Sequence, residues 1–388
     1  MKHKILMIPG PTEVSSEVLA KLALPVEPHY GDEFVKLYFK VVAKLKKIFE
    51  TSNDLFILAA TSSAAMESAV NCAVERGDKV LVCHNGFFGE RFKEIVESVG
   101  AIPVLLKADA DKPIEPNRVK KVLEDNREIN TLAVVHNETS TGVENPIEEI
   151  CEIAFKRGIL TIIDSVSGLG GASFSADKWK IDLALSGSQK CLEAPAGLSF
   201  LSISQKAWQR FRGRKTKIHG WYLNLLNLKK YQEQWRNWHP QGPNTAPVSL
   251  YLALDAALDR IIREGLEERI KRHEKIAKAL RCALRKIGLE LFVEDRFASK
   301  TVTAVKLPPT VNGEKLRKMI ASDFDILLSG GLGETKNSVI RIAHMGMTAQ
   351  SEYILPTLKA LERTLSELGF SVEEGRAQKT FKGMLLLK

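Results

Sequence analysis

The chain has 388 residues, 44% of them apolar, and a formal net charge of +9 at neutral pH. This length and apolar content allow a large core in two or three structural units, and no run of about 18 apolar residues is present to span a membrane. Five scattered cysteines (Cys72, Cys83, Cys151, Cys191 and Cys282) without C-x-x-C spacing speak against a disulfide framework or a zinc site and for a reducing cytoplasm.

The opening Met1-Lys-His-Lys-Ile-Leu-Met-Ile-Pro-Gly10 breaks too early for a secretory signal. From residue 50 to about 205, short apolar runs alternate with helix-like segments, the pattern of a mostly parallel sheet covered by helices. Seven strands are predicted, at 55–60, 80–83, 103–106, 132–135, 160–163, 183–185 and 198–203. A helix is expected over 63–76 with a stop at Gly77, and Phe92, Ile95, Val96 and Val99 mark the apolar face of another. After Pro247 the texture changes to a long, charged helical region over 248–288, interrupted near Gly265. A smaller α+β unit follows, with strands near 289–292, 301–306, 325–328 and 339–342 and a last helix over 351–368. The segment 372–388 is mixed and carries no functional reading. The expected organisation is an arm over 1–16, a large domain over 17–250 and a small C-terminal domain over 251–388, hinged by the long helix.

Chemistry gathers where the predicted strands end. In Ala60-Thr61-Ser62-Ser63-Ala64-Ala65 a strand gives way to a helix start, where small residues let the backbone close on an anion and the helix dipole favours a phosphate. The Ser62 and Ser63 hydroxyls add donors, although an ordinary Ser/Thr cap has the same sequence. In Asn85-Gly-Phe-Phe-Gly-Glu-Arg91, Phe88 is expected in a loop at the same edge, as a face for a planar cofactor or as a loop anchor. His136-Asn-Glu-Thr-Ser-Thr-Gly142 follows the next strand. His136 and Glu138 lack a third ligand for a metal, whereas Ser140 and Thr141 offer hydroxyls to a substrate or cofactor and Gly142 permits the tight turn.

The strand over 160–163 ends in Asp164, and 26 residues later the turn Ser186-Gly-Ser-Gln-Lys190 ends in a lysine. Parallel strands that finish in an acid and an amine set the two side by side. Pyridoxal phosphate enzymes need this pair, a lysine for the Schiff base and an acid that keeps the pyridinium nitrogen protonated. Val166 offers an apolar floor under such a ring, and Ser188 and Gln189 are placed to reach its phosphate. The glycines of 168–171 lack the G-x-G-x-x-G spacing of a dinucleotide fold. Arg341, amid apolar neighbours, offers two parallel donors to a carboxylate or closes a structural ion pair. Cys191, which follows the lysine, reads as a small filler rather than a reactive thiol. The basic stretch 206–219, interleaved with Trp208 and Phe211, raises the question of nucleic acid, but a charged surface helix and a subunit interface explain it more simply. Neither a nucleic-acid nor a membrane partner is expected.

Together these segments resemble the class V, fold type I aminotransferases, and within them the alanine–glyoxylate and serine–pyruvate group. The pieces stand in that family's order: Pro9-Gly-Pro-Thr12, the Ser/Thr turn, Asn85-Gly-x-x-Gly-x-Arg91, His136-x-Glu-x-Ser-Thr-Gly142, Asp164-Ser-Val166, Ser186-Gly-Ser-Gln-Lys190 and Arg341-Ile-x-x-Met-Gly346. The resemblance implies a large domain with a seven-stranded, mostly parallel sheet, a smaller α+β domain and bound pyridoxal 5'-phosphate. It implies Lys190 as the Schiff-base lysine, Asp164 as the pyridinium partner, Phe88 stacked on the ring, and Thr61, Ser62, Ser63 and Gln189 on the phosphate. Val166 and Ser140 complete the cofactor site, and Gly10, Ser140 and Arg341 bind substrate. In the implied homodimer, Thr245 of Asn244-Thr-Ala-Pro247 completes the phosphate site of the neighbouring subunit. Two departures stand out: Ser62 where the family usually has Gly, and Gly242 where it often has Tyr.

The implied activity is ping-pong transfer of an amino group from serine or alanine to pyruvate or glyoxylate. A larger amine such as 2-aminoethylphosphonate or hydroxykynurenine is the alternative within the class. A cysteine desulfurase or selenocysteine lyase would need a thiol in the small-domain loop 329–333, which has none.

Overall fold

Runs of Val, Ile and Leu that alternate between two apolar environments form the strands of the main sheet. Leu81, Cys83, Leu132 and Val134 face one core, whereas Val80, Val82, Ala133 and Val135 face the other, the period-2 pattern of strands covered on both sides. The computed structural model describes residues 3–386; residues 1–2 of the arm and 387–388 of the terminal segment lie outside the described residues. The seven-stranded sheet runs Asp54–Leu58, Ser199–Ile203, Leu183–Gly187, Leu160–Asp164, Ile129–Val135, Lys79–His84 and Ile102–Lys107 from edge to edge. Only Ser199–Ile203 is antiparallel to its neighbours. Helices Ser62–Ala73 and Phe87–Ser98 pack on one face through Met66, Val70, Phe92 and Val96. Helices Asp32–Phe49, Ile147–Lys156 and Val248–Glu264 cover the other through Tyr38, Ile150 and Tyr251. No helix among the described residues is long and apolar enough to cross a membrane.

The helix expected over 63–76 ends earlier, at Ala73, because its last carbonyls are taken from outside. Arg214 Nη1 donates to the carbonyls of Asn71, Cys72 and Val74, the closest at 2.6 Å. Lys206, Arg210 and Arg214 of this basic stretch are occupied internally, whereas Arg212, Lys215 and Lys217 are exposed. Arg210 pairs with Asp78 at 2.6 Å, and Trp208 and Phe211 are buried, so neither ring is presented to a partner. Trp208 sits edge-on to Phe56 and Phe211 with no solvent exposure. Trp208→Ala is expected to cost about 3–5 kcal/mol in denaturant unfolding, the usual loss for deleting a buried large aromatic.

The helical region after Pro247 divides into Val248–Glu264 and Leu266–Lys286, with Gly265 at φ +83° between them. A five-stranded sheet follows in the order Ile5–Met7, Ile326–Gly330, Val339–Ala343, Val302–Lys306 and Glu290–Leu291. Its first strand comes from the arm and pairs in parallel with Ile326–Gly330. Three residues are too few to show a period, and sequence reading left the arm without a strand. The segment after residue 372 contains a helix, Arg376–Leu386, that buries Ala377 and Phe381 in the small-domain core. Its first turn is capped by a distant residue: Glu362 accepts from the N–H groups of Gly375 and Ala377 at 3.0 and 2.6 Å.

Candidate active site

In the main sheet Val135 pairs with Asp164, and Asp164 with Leu185, so the polar turns after three neighbouring strands share one edge. They enclose a cavity of about 180 Å3. Eight of the residues singled out from sequence line it: Asp164, Val166, Gln189 and Lys190 from two turns, Thr61, Ser62 and Ser63 from the first helix, and Phe88 from the second.

At one end is the helix N-terminus at Ser62. Thr61, its N-cap, makes no side-chain capping bond; its carbonyl accepts from the Ala64 N–H at 2.9 Å, and the amides of Ser62 and Ser63 have no acceptor among the described residues. Gln189 Nε2 donates to Ser62 Oγ at 3.2 Å, and Arg91 Nη1 donates to Ser63 Oγ at 3.2 Å. Gly187 makes this fit possible, because a Cβ there would land on Ser62 Oγ. Ser188, by contrast, turns away and donates to the Pro195 carbonyl at 2.6 Å, so it does not reach this end.

Phe88 was expected in a loop, but it is the second residue of helix Phe87–Ser98. Gly86 has no side chain to cap that helix. The buried carboxylate of Glu138 does so instead, accepting from Phe88 and Gly89 N–H at 3.1 Å each. Arg91 lies 4.9 Å above the Phe88 ring. Ser140 lies off the cavity lining, since it donates to Glu138 and accepts from the Phe87 N–H at 2.9 Å. Its neighbour Thr139 lines the cavity.

Asp164 and Lys190 make the electrostatic centre. Burial raises the Asp164 carboxyl from its ordinary 3.8 to about 6, opposed by a hydrogen bond from Val166 N–H at 2.8 Å; the charge of Glu138 adds to the rise. Loss of water around the Lys190 amine lowers it from 10.5 to about 8, with Asp164 pulling it back up. The arm lies across this lysine: Thr12 Oγ1 donates to the Lys190 carbonyl at 2.9 Å, and Lys190 Nζ donates to the Pro9 carbonyl. Gly10, at φ +98°, leaves the room, because a Cβ there would stand within 2.8 Å of the lysine Cδ, Cε and Nζ.

Arg341 sits just beyond the lining on the Val339–Ala343 strand and is 7% exposed. Nε donates to the Gly330 carbonyl and Nη1 to the Thr139 carbonyl, both at 2.8 Å, and among the described residues nothing accepts from Nη2. Burial lowers the guanidinium to about 10, against the pull of Glu138. Thr245 is exposed and lies outside this cavity. Cys191 is fully buried and its thiol is raised to about 12 by burial, an inert filler.

Sequence reading gave no role to Arg91, Glu138 or Thr139. Arg91 closes the Asn85-Gly-x-x-Gly-x-Arg91 motif and was within reach of that signal. The capping role of Glu138 depends on a contact 50 residues away in sequence.

The chain matches the aminotransferase class-V family over residues 21–353. An uncharacterised aminotransferase of Methanocaldococcus jannaschii is 43% identical over 371 residues, covering 96% of this chain and 95% of its own. The crystal structure of an alanine–glyoxylate aminotransferase from Nostoc is 33% identical with a TM-score of 0.90, covering 94% of this chain and 96% of that one. A ureidoglycine–glyoxylate aminotransferase from Bacillus subtilis reaches a TM-score of 0.94 at 28% identity, covering 99% and 98%. The α/β architecture is that of fold type I, and the chain belongs to the class V aminotransferases.

Proposed function

We propose that this aminotransferase binds pyridoxal 5'-phosphate in the cavity and moves the amino group of alanine or serine to glyoxylate or pyruvate in two alternating half-reactions. The carrying observation is the desolvated amine of Lys190 beside the buried carboxylate of Asp164, in a cavity that ends at the Ser62 helix N-terminus. The donor set fits the cofactor: an aromatic face at Phe88, an apolar floor at Val166, an acid for a ring nitrogen, and amides, hydroxyls and the Arg91 cation for a dianion. Two structurally similar aminotransferases bear glyoxylate in their names, which supports that acceptor. The same proposal takes the arm as 1–16, the large domain as 17–250 and the small domain as 251–388, in a cytoplasmic homodimer where Thr245 of the partner subunit completes the phosphate end.

When bound, the cofactor supplies a ring that accepts electron density from the substrate α-carbon. Asp164 would hold the proton on the ring nitrogen, and a ring cation beside it would favour the ionised carboxylate. Lys190 Nζ would take the α-proton, and its amine, lowered to about 8 by burial, suits a base that must also give the proton back. Arg341 orients the substrate carboxylate through Nη2, which has no acceptor among the described residues, and Gly10 keeps the arm close without blocking the lysine.

A half-reaction screen tests the substrate assignment. Alanine or serine is expected to bleach the visible absorbance band of the holoenzyme; bleaching by glutamate or aspartate alone would overturn it. Arg341→Ala is expected to weaken binding of the amino donor by about 2–5 kcal/mol, the cost of losing a desolvated charge pair. An unchanged KM would remove Arg341 from the substrate site.

A further inference from the structure

Behind the cavity, one turn of the helix Leu266–Lys286 brings Arg269, Arg272 and His273 onto one face at i, i+3 and i+4. Arg269 is 1% exposed, and all three of its side-chain nitrogens donate. Nε donates to the Gly170 carbonyl at 2.8 Å and Nη2 to the Cys191 carbonyl at 2.7 Å. Nη2 also meets Glu193 Oε1 at 2.5 Å, and Nη1 meets Glu264 Oε2 at 2.7 Å. Gly170 belongs to the turn that begins at Asp164, and Cys191 directly follows Lys190. Glu193 is buried and held at φ +56°, a left-handed conformation that a non-glycine residue keeps only when its surroundings impose it. The same helical face reaches the segment after Arg341. Arg272 Nη1 donates to the carbonyls of Gly346 and Ala349 at 3.0 and 2.8 Å, and His273 Nε2 accepts from the Gly346 N–H at 2.9 Å.

Burying a guanidinium and a carboxylate costs solvation that well-packed apolar groups would not incur, so such a pair is weak evidence for stability and better evidence for fixed geometry. We propose that Arg269 is a positioning residue for transamination: by tying the Gly170 and Cys191 carbonyls to one planar guanidinium it fixes Lys190 against Asp164, and through Glu264, which also accepts from Arg272 Nε at 2.5 Å and Nη2 at 3.0 Å, it locks that register to the segment that carries Arg341. The inference rests on the roles given to Lys190 and Asp164 above. A lysine at 269 keeps a cation near Glu193, but its single nitrogen does not span two carbonyls and a carboxylate.

The test is Arg269→Lys, prepared as holoenzyme and compared with wild type using the donor that bleaches the wild-type band. The kcat is expected to fall about 10–100-fold, the scale of a small misplacement of reacting groups. The donor KM is expected to change less than about threefold, because Arg341 keeps the Gly330 and Thr139 carbonyls that aim it. The pH midpoint of the visible band should move, while thermal unfolding stays within a few degrees of wild type. Wild-type kcat with an unmoved midpoint would overturn the proposal, as would a kcat loss that only tracks loss of folded protein. Should Arg269→Lys not fold, Glu193→Gln gives the second reading: lower kcat with a shifted midpoint supports the role, and wild-type values of both overturn it. A wild type without a Lys190-dependent band would overturn the reading of the site and this inference with it, whereas a normal wild-type band with an unmoved variant would overturn the positioning role alone.

Discussion

Lys190→Ala is expected to reduce transamination by on the order of 10⁴-fold or more, since it removes both the nucleophile and the general base. Among the described residues lining the cavity, the one other basic side chain is Arg91, whose guanidinium is a hydrogen-bond donor with no acceptor atom and no substitute for an amine nucleophile. The variant should still bind the cofactor, because the Ser62 turn, Gln189 and Arg91 are untouched, but it should lose it on dialysis. Small exogenous amines should restore part of the rate in a concentration-dependent way. Turnover within about tenfold of wild type would remove Lys190 from the chemistry.

Asp164→Asn should separate function from stability. Without a carboxylate to hold the ring proton, the rate is expected to drop about 10²–10³-fold, comparable to losing one preorganised electrostatic contact. The cofactor-free protein should gain stability from the same change. A carboxyl raised from 3.8 to about 6 binds its proton more tightly in the folded chain than in the unfolded one. Below the lower value both states are protonated and the site costs nothing. As pH rises through the window from 3.8 to 6 the folded chain must ionise a buried acid, and stability falls. Above it the cost is complete, about 3 kcal/mol for a shift of this size, and Asn removes it. Denaturant unfolding of the cofactor-free variant at pH 5 and pH 7 should therefore show a flatter dependence than wild type. An equal pH dependence in the two proteins would show that Asp164 is not the buried acid responsible.

The main sheet was legible because each of its strands is an apolar run closed by a polar turn, and the register of neighbouring parallel strands then brings Asp164 and Lys190 to one edge. The break at Gly265 was legible for a similar local reason. What escaped depends on distant partners. Phe88 enters a helix because Glu138 caps it, the helix Ser62–Ala73 stops early because Arg214 takes its carbonyls, and the Arg376–Leu386 helix starts where Glu362 receives its amides. At the site, Thr139 rather than Ser140 lines the cavity, because the turn commits the Ser140 hydroxyl to Glu138. A one-residue choice within an irregular turn has no period to reveal it. Arg341 was readable as a lone cation among apolar neighbours, but the two backbone carbonyls that aim it are 11 and 202 residues away.

Borohydride reduction of the holoenzyme, followed by proteolysis and mass mapping, tests Lys190 as the residue that holds the cofactor. A pyridoxyl group on the peptide containing Lys190, and on no other, is the expected result. A label on a different lysine, or none on the reduced protein, would contradict it.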